Sequence, residues 1–193
     1  MSIKSNCLVL MLSLISFAGF TQKKFKDGFV VLNNGDTARG YLEYKEWYTN
    51  PISVLFTKNL NEAGVRYSTN EIIYFEYNGM GLYQRFTVGV SLDNESLSNF
   101  SVKDTSSTVR TVFLKILQKG SNVTLFSCRD ELKRRFYILE HDATTPVELL
   151  NSIYMQNGQV KEEKQYRTVL NRLVSKYLSG DINMFNQVNN SGI

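Results

Sequence analysis

The sequence predicts a mainly β protein of the α+β class that ends in an amphipathic helix. Three observations lead to this prediction. Two β-prone runs flank the turn at residues 33–36, where Asn and Gly tolerate the positive φ of tight hairpins. A second pair of such runs flanks residues 118–122. In residues 161–178 the apolar side chains recur with the spacing of one helical face.

The N-terminus has the pattern of a secretory signal peptide. Lys4 supplies a positive charge, and residues 7–18 form an apolar run that ends in small residues. A transmembrane helix needs about 20 apolar residues, and residues 21–24 end this run sooner. We therefore expect residues 1–21 to be cleaved, which leaves a periplasmic, outer-membrane-associated or extracellular protein without a transmembrane helix.

Charge and cysteine content limit the classes of function. The chain carries 22 Lys and Arg against 18 Asp and Glu, and this small, scattered excess does not favour a nucleic-acid partner. Cys7 leaves with the signal peptide, so Cys128 is the one cysteine of the mature chain and no internal disulfide can form. The exported domain is then held by its core or by a partner.

Residues 22–80 are predicted to form a small β-barrel-like module that follows a polar leader at residues 22–27. Its predicted strands cover residues 29–32, 41–48, 52–56, 65–67 and 72–77, with a tight helical turn at residues 68–71. Gly40, inside the second strand, lets the strand bend and another strand approach. These spacings resemble the SH3-like or Sm-like barrel, whose V-x-L-x-x-G-x-x-x-x-G hairpin is matched by residues 30–40. The Sm-like resemblance implies RNA binding, against which the signal peptide and the lack of a basic stripe argue.

Residues 81–158 are predicted to form an antiparallel β-meander. Its strands are expected at residues 82–92, 111–117, 123–128 and 134–139. Gly89 is a candidate β-bulge, and residues 93–107, rich in Asn and Ser, are a predicted long loop. Residues 147–155 fit either a strand or a helix.

Residues 159–193 are predicted to be a helical segment. Its apolar stripe consists of Tyr166, Val169, Leu170, Leu173, Val174, Tyr177 and Leu178. Because the opposite face mixes both charge signs, we expect this helix to pack on the protein's own sheet rather than on a membrane. Gly180 is placed to end the helix, and Asp181 is placed to begin a last short one.

The mature chain as a whole resembles exported β-rich proteins of the Bacteroidota. Their G-x-x-V-L-N-N-G-D-T-x-x-G hairpin is matched by Gly28, residues 31–37 and Gly40. Their V-F-L-K-x-L strand is matched by residues 112–115 and Leu117. The resemblance implies an exported location and carries no activity with it.

Tyrosine and tryptophan form the main candidate binding surface. Tyr44, Trp47 and Tyr48 cluster on the second predicted strand, and Tyr74 lies on the fifth. Since both faces of a small barrel cannot be buried, some of these rings are expected to be exposed. Exposed Tyr and Trp suit recognition of a protein or a glycan. The alternative is that these rings pack under the C-terminal helix.

Cys128 and His141 are the candidates for catalysis, as a nucleophile and its base near the ends of neighbouring predicted strands. The alternative is a buried, structural Cys128 and a histidine in a loop. One histidine and one cysteine do not make a zinc site, and no Gly-rich phosphate loop, G-x-S-x-G or H-E-x-x-H motif occurs. We therefore expect neither a metal nor a cofactor.

The sequence thus favours a non-catalytic exported protein of the cell envelope that binds a protein or a glycan through exposed aromatic side chains. Two alternatives stay open at this point. One is a small envelope hydrolase that uses Cys128 and His141, and the other is a β-barrel that holds a small apolar ligand.

Overall fold

The computed structural model describes residues 24–45, 48–93, 103–178 and 182–190, and these are mainly β. The described strands are β1 (Phe25–Leu32), β2 (Thr37–Glu43), β3 (Ser53–Thr57), β4 (Val65–Ser68), β5 (Ile72–Tyr77), β6 (Gly81–Ser91), β7 (Ser107–Lys119), β8 (Val123–Arg129), β9 (Arg134–Glu140), β10 (Val147–Glu148), β11 (Ser152–Gln156) and β12 (Gln159–Glu163). Two described helices follow, α1 (Tyr166–Tyr177) and α2 (Ile182–Asn190).

Strands β1 to β10 form one antiparallel sheet in the order β10-β9-β8-β7-β6-β5-β1-β2-β3-β4, and β11 pairs only with β12. The predicted closed, SH3-like barrel is not confirmed, because the sheet is open over the described residues, with β4 and β10 at its edges. One edge of β5 pairs with β1, as in such a barrel, but the other edge pairs with β6. Strand β5 therefore joins the predicted module to the predicted meander instead of closing onto β4.

The hairpin at the Asn-Gly turn is confirmed. Gly35 has a φ of 90°, and the Asn34 side chain accepts a hydrogen bond of 3.0 Å from the Asp36 backbone N–H. Strand β1 begins at Phe25, so residues 25–27 were wrongly assigned to the polar leader. These residues are strand because they pair with the far end of β2, where Phe25 lies opposite Glu43.

Two facing glycines let four neighbouring strands, β1, β2, β3 and β5, pack closely. Gly28 of β1 lies opposite Gly40 of β2. A Cβ atom at Gly40 would overlap the carbonyl oxygen of Thr57 in β3, and one at Gly28 would overlap the carbonyl oxygen of Glu76 in β5. The predicted close approach at Gly40 is therefore confirmed.

In the second half, the register of β6 with β7 runs without interruption from Tyr83 opposite Lys115 to Ser91 opposite Ser107. Gly89 pairs normally with Val109, so the bulge predicted there is wrong. The register shifts instead in the pairing of β7 with β8, between Ile116 and Gln118. Residues 147–148 and 152–156 are strands. Most of the predicted loop, residues 94–102, lies outside the described residues.

The C-terminal helix begins later than predicted, at Tyr166, because residues 159–163 form β12. Strand β12 folds back on β11 through Asn157 and Gly158, whose φ angles of 52° and 72° suit a two-residue hairpin turn. The packing of the helix on the sheet is confirmed, since Tyr166 and Leu173 contact a cluster with Ile138. The described residues form three core clusters. The first centres on Val30, Leu42, Phe75 and Phe113, the second on Val88, Leu114, Phe126 and Tyr137, and the third on Ile138, Leu149, Tyr166 and Leu173.

A buried arginine ties the end of β6 to β9 and β10. The Arg135 side chain is fully buried and donates to the carbonyl oxygen of Ser91 at 2.7 and 3.1 Å. Its guanidinium lies 2.8 Å from the carboxylate of Asp130 and 3.7 Å from that of Glu148. Glu148 in turn accepts hydrogen bonds from the Ser91 hydroxyl and backbone N–H. The charge is thus surrounded by acceptors, which a buried arginine requires.

The contact at Gly40 predicts an asymmetric effect of two Gly→Ala substitutions in strands. Gly40→Ala forces β2 and β3 apart and should lower the free energy of unfolding by about 1 to 3 kcal/mol. Gly89→Ala is the control, because no heavy atom lies within 4 Å of the position of its Cβ. It should change the free energy of unfolding by less than about 1 kcal/mol. Urea denaturation measures both, and equal losses would contradict the close packing at Gly40.

Candidate functional site

The segment between β2 and β3 crosses to β7 and β8, and its described residues 44–45 and 48–52 are termed the bridging segment. Asn50 holds it in place. Its backbone N–H donates to the carbonyl oxygen of Arg129 at 2.7 Å, and its side-chain oxygen accepts from the Arg129 N–H at 3.0 Å. Its side-chain NH2 donates to the carbonyl oxygens of Phe113 and Ser127, at 2.8 and 3.3 Å.

Asn50 fills a gap in the sheet. The pairing of β7 with β8 stops where Lys115 lies opposite Ser127, although β8 continues to Arg129. Backbone groups that strand pairing would have satisfied are thus left for the amide of Asn50. Since buried backbone polar groups need partners, one side chain stabilises both the gap and the bridging segment.

The bridging segment forms one wall of a groove of about 400 Å³, which we term the tyrosine groove. The sheet supplies the rest of the groove through β5, β6 and β7. The residues that line it are Tyr44, Lys45, Tyr48, Tyr77, Met80, Tyr83 and Lys115. Four of these seven side chains are phenol rings; Tyr77 is buried in the floor, and the accessible parts of Tyr44, Tyr48 and Tyr83 offer apolar ring surface together with hydroxyl groups.

The floor of the groove is fixed by contacts between aromatic rings. Phe75 lies beneath it, stacked on Tyr83 with ring centroids 4.6 Å apart and edge-on to Tyr77 at 5.8 Å. Tyr44 contacts Tyr77 edge-on at 5.8 Å, and the Tyr77 hydroxyl donates to the carbonyl oxygen of Glu43 at 3.1 Å. Burial raises the pKa of both Tyr77 and Tyr83, so both stay neutral phenols at physiological pH.

Tyr48 is the accessible ring at the rim of the groove. Its side chain is 70% exposed, and the guanidinium carbon of Arg129 lies 3.8 Å from the centroid of its ring. Such a cation–π contact stabilises an exposed aromatic ring in one position. Tyr48 is therefore both exposed and oriented, as a residue that binds a ligand ring must be.

The charges at the groove are positive. Lys45 and Lys115 line it, and its described lining includes no carboxylate. Lys45 forms an ion pair with Glu43, with an N–O distance of 3.5 Å. Lys115 forms no ion pair with any of the described residues. Its ammonium group is therefore available to an anionic group in the groove.

The structure brings together two of the four residues predicted to bind a partner, Tyr44 and Tyr48. Both lie after the end of β2 rather than on a strand. Tyr74 lies on the face of β5 opposite to Phe75 and outside the groove, and Trp47 lies outside the described residues. Helix α1 packs on the third core cluster instead of on Tyr44 or Tyr48. Tyr83 and Lys115 were missed because the register that makes them cross-strand partners is not a local signal.

Cys128 and His141 are not brought together. Cys128 lies opposite Arg135 in the pairing of β8 with β9, whereas His141 follows Glu140, at the other end of the hairpin. Arg135, which lies opposite Cys128, is six residues from His141 along the chain, and six residues of strand span about 20 Å. Cys128 is buried in the second core cluster, and His141 lies exposed with its ring 6.3 Å from that of Tyr177. The structure thus assembles no nucleophile–base pair from them.

The comparisons with known proteins identify no relative from which a function of the site could be inferred. No protein-family model, no curated protein and no solved structure matches the chain. Within the described ranges, no helix has the length and apolar character needed to cross a bilayer. The same residues contain no group of three or more His, Cys, Asp or Glu side chains placed to hold a metal ion.

Loss of the Asn50 amide should destabilise the protein. Asn50→Ala removes the side-chain hydrogen bonds to the Arg129 N–H and to the carbonyl oxygens of Phe113 and Ser127, so the free energy of unfolding should fall by about 3 kcal/mol. Asn59→Ala is the control, because among the described residues the Asn59 side chain bonds just the exposed Glu62, and its effect should stay within about 0.5 kcal/mol. Urea denaturation gives both values. Amide hydrogen exchange at Arg129 should also become faster in Asn50→Ala, and unchanged exchange there would contradict the bridge.

The environment of Cys128 predicts slow alkylation of the folded protein. Burial raises the pKa of the Cys128 thiol to about 11, and only the thiolate reacts readily. Iodoacetamide should therefore leave the native protein almost unlabelled at pH 8 and label it quickly after guanidinium unfolding. Mass spectrometry measures the label. Fast labelling of the folded protein at pH 8 would show an accessible, activated thiol and would restore the catalytic alternative.

Proposed function

We propose that the protein is a non-catalytic exported protein of the cell envelope that binds a glycan in the tyrosine groove. The observation that carries this proposal is the groove itself, in which four tyrosines and two lysines line a concavity of about 400 Å³. Aromatic rings with a polar tip suit ligands that have both apolar faces and hydroxyl groups, as sugar rings do.

The shape of the groove favours a glycan over a protein partner. Its volume falls in the range of about 300 to 1,000 Å³ that is usual for small-ligand sites. A stable protein interface buries more than about 1,000 Å² of surface, and a groove formed by seven side chains accounts for a small part of that. The ring of Tyr83, held by its stacking on Phe75, and the oriented ring of Tyr48 also match a rigid ring-shaped ligand, because little side-chain freedom is lost on binding.

Separate observations support the two other parts of the proposal, export to the envelope and a non-catalytic role. The signal-peptide pattern of residues 1–21 supports export to the envelope. The distance between Cys128 and His141 speaks against the hydrolase alternative, because a nucleophile and its base must lie within hydrogen-bonding reach. The open sheet speaks against a ligand enclosed by a closed barrel.

Removal of the Tyr48 ring should weaken glycan binding without unfolding the protein. Tyr48 is largely exposed, so Tyr48→Ala should keep the melting temperature within a few degrees. Its affinity should fall about five- to thirtyfold, equivalent to about 1 to 2 kcal/mol. A glycan array with neutral and acidic oligosaccharides identifies ligands of the purified protein, and calorimetric titration of the best one measures the loss.

Tyr74→Ala is the control variant for this experiment. It removes the same side chain from the opposite face of β5, where Tyr74 lies outside the groove. Its affinity for the glycan should equal that of the wild type. The proposal is wrong if the wild type binds no saccharide on the array, or if Tyr48→Ala binds as tightly as the wild type.

A further inference from the structure

A second pocket, of about 650 Å³, adjoins the tyrosine groove, and we term it the basic pocket. Lys45 lines both pockets. A second link joins them, because Arg129 of the basic pocket stacks on Tyr48 of the groove. A ligand that occupies the groove therefore has a neighbouring site directly beyond Lys45.

The carboxylates of the basic pocket are largely neutralised by the protein itself. Asp130 is paired with the buried Arg135, with an N–O distance of 2.8 Å. Glu43 is paired with Lys45 at 3.5 Å and with Arg66 at 3.9 Å. These two acidic side chains leave little negative charge to repel an anion from the pocket.

Two arginines of the basic pocket have no such partner. Neither Arg110 nor Arg129 forms an ion pair with a described carboxylate, and Arg110 is exposed. Only Glu131 remains as an unpaired acid in the described lining. The guanidinium carbon of Arg129 lies 3.8 Å from the centroid of the Tyr48 ring, and a guanidinium in such a contact can still bind an anion through its N–H groups. Lys115 lines the adjoining groove, which shares Lys45 with the basic pocket, so the two linings together carry more unpaired cations than unpaired acids.

We propose that the ligand is an anionic oligosaccharide, whose sugar rings lie in the tyrosine groove while its carboxylate or sulfate groups bind Lys115, Arg110 and Arg129. This inference rests on the proposed function and names the class of glycan. Guanidinium groups bind carboxylate and sulfate through paired N–H donors. A neutral glycan would cover the same tyrosines and leave all three cations without a counter-charge.

The test compares sugars that share one chain of rings and differ in charge. Tetragalacturonate and its fully methyl-esterified form share one chain of rings, and sulfated and unsulfated maltotetraose form a second pair. Calorimetric titration at about 50 mM NaCl, where screening is weak, gives the four affinities. At least one charged member should bind about tenfold more tightly than its neutral partner, and its affinity should fall as salt is added.

Variants that remove one charge each show where the anion binds. Lys115→Gln and Arg110→Gln should each weaken binding of the preferred charged probe about three- to fivefold, as expected for partly exposed ion pairs. Neither variant should change binding of the neutral partner. Lys119→Gln is the matched control, since Lys119 is an exposed lysine of the same strand outside both pockets. It should leave all affinities within about a factor of two.

The outcomes separate this inference from the proposed function. Binding of neutral and charged probes with equal affinity, still weakened by Tyr48→Ala, would overturn the anionic preference and keep the glycan-binding groove. Equal losses in Lys119→Gln and Lys115→Gln would show unspecific attraction to a basic protein and overturn the assignment of the cations. Absence of binding to all four probes and to the array would overturn both proposals.

Discussion

The hydrogen bonds of Asn50 are the interaction on which the candidate site depends. They join the segment after β2 to β7 and β8, two strands that lie on the far side of β5 and β6 in the sheet. Without that bridge, the tyrosine groove would lose the wall that carries Tyr48, and the basic pocket would lose the wall formed by residues 49–52. An amide side chain suits this position because it offers both a donor and an acceptor to a broken strand ladder. No apolar side chain could do so.

The open sheet determines where the site is formed. Because β5 pairs with β1 on one side and β6 on the other, the aromatic residues of the N-terminal strands lie next to the long strands of the second half. Phe75 of β5 contacts both Tyr83 and Phe113, which belong to β6 and β7. The groove is thus built on rings from both halves, and its rigidity follows from the continuity of the sheet.

Local signals in the sequence predict the individual strands and turns well, but they predict poorly which strands pair with each other. The turn at Gly35 and the strand at residues 72–77 follow from turn chemistry and β-propensity, which act within a few residues. The open sheet could not be predicted, because the choice of β6 over β4 as the partner of β5 is a long-range one. Strand β12 was missed although Asn157 and Gly158 mark its turn, since its polar residues lack alternation. In the site, Tyr44 and Tyr48 are close in the chain, whereas Lys115 joins them only through strand register.

The buried guanidinium of Arg135 has a consequence for how this fold changes in evolution. Loss of Asp130 or Glu148 alone would leave the buried positive charge of Arg135 poorly compensated and would lower the stability. Replacement of the whole set by apolar side chains of similar volume, in contrast, can leave the stability nearly unchanged. Sequences in which part of this ionic set has been replaced are therefore less stable than sequences that keep all of it or none of it. Among descendants of this chain, the three positions are expected to be inherited as a unit, and a lineage that abandons the ionic arrangement should abandon all of it.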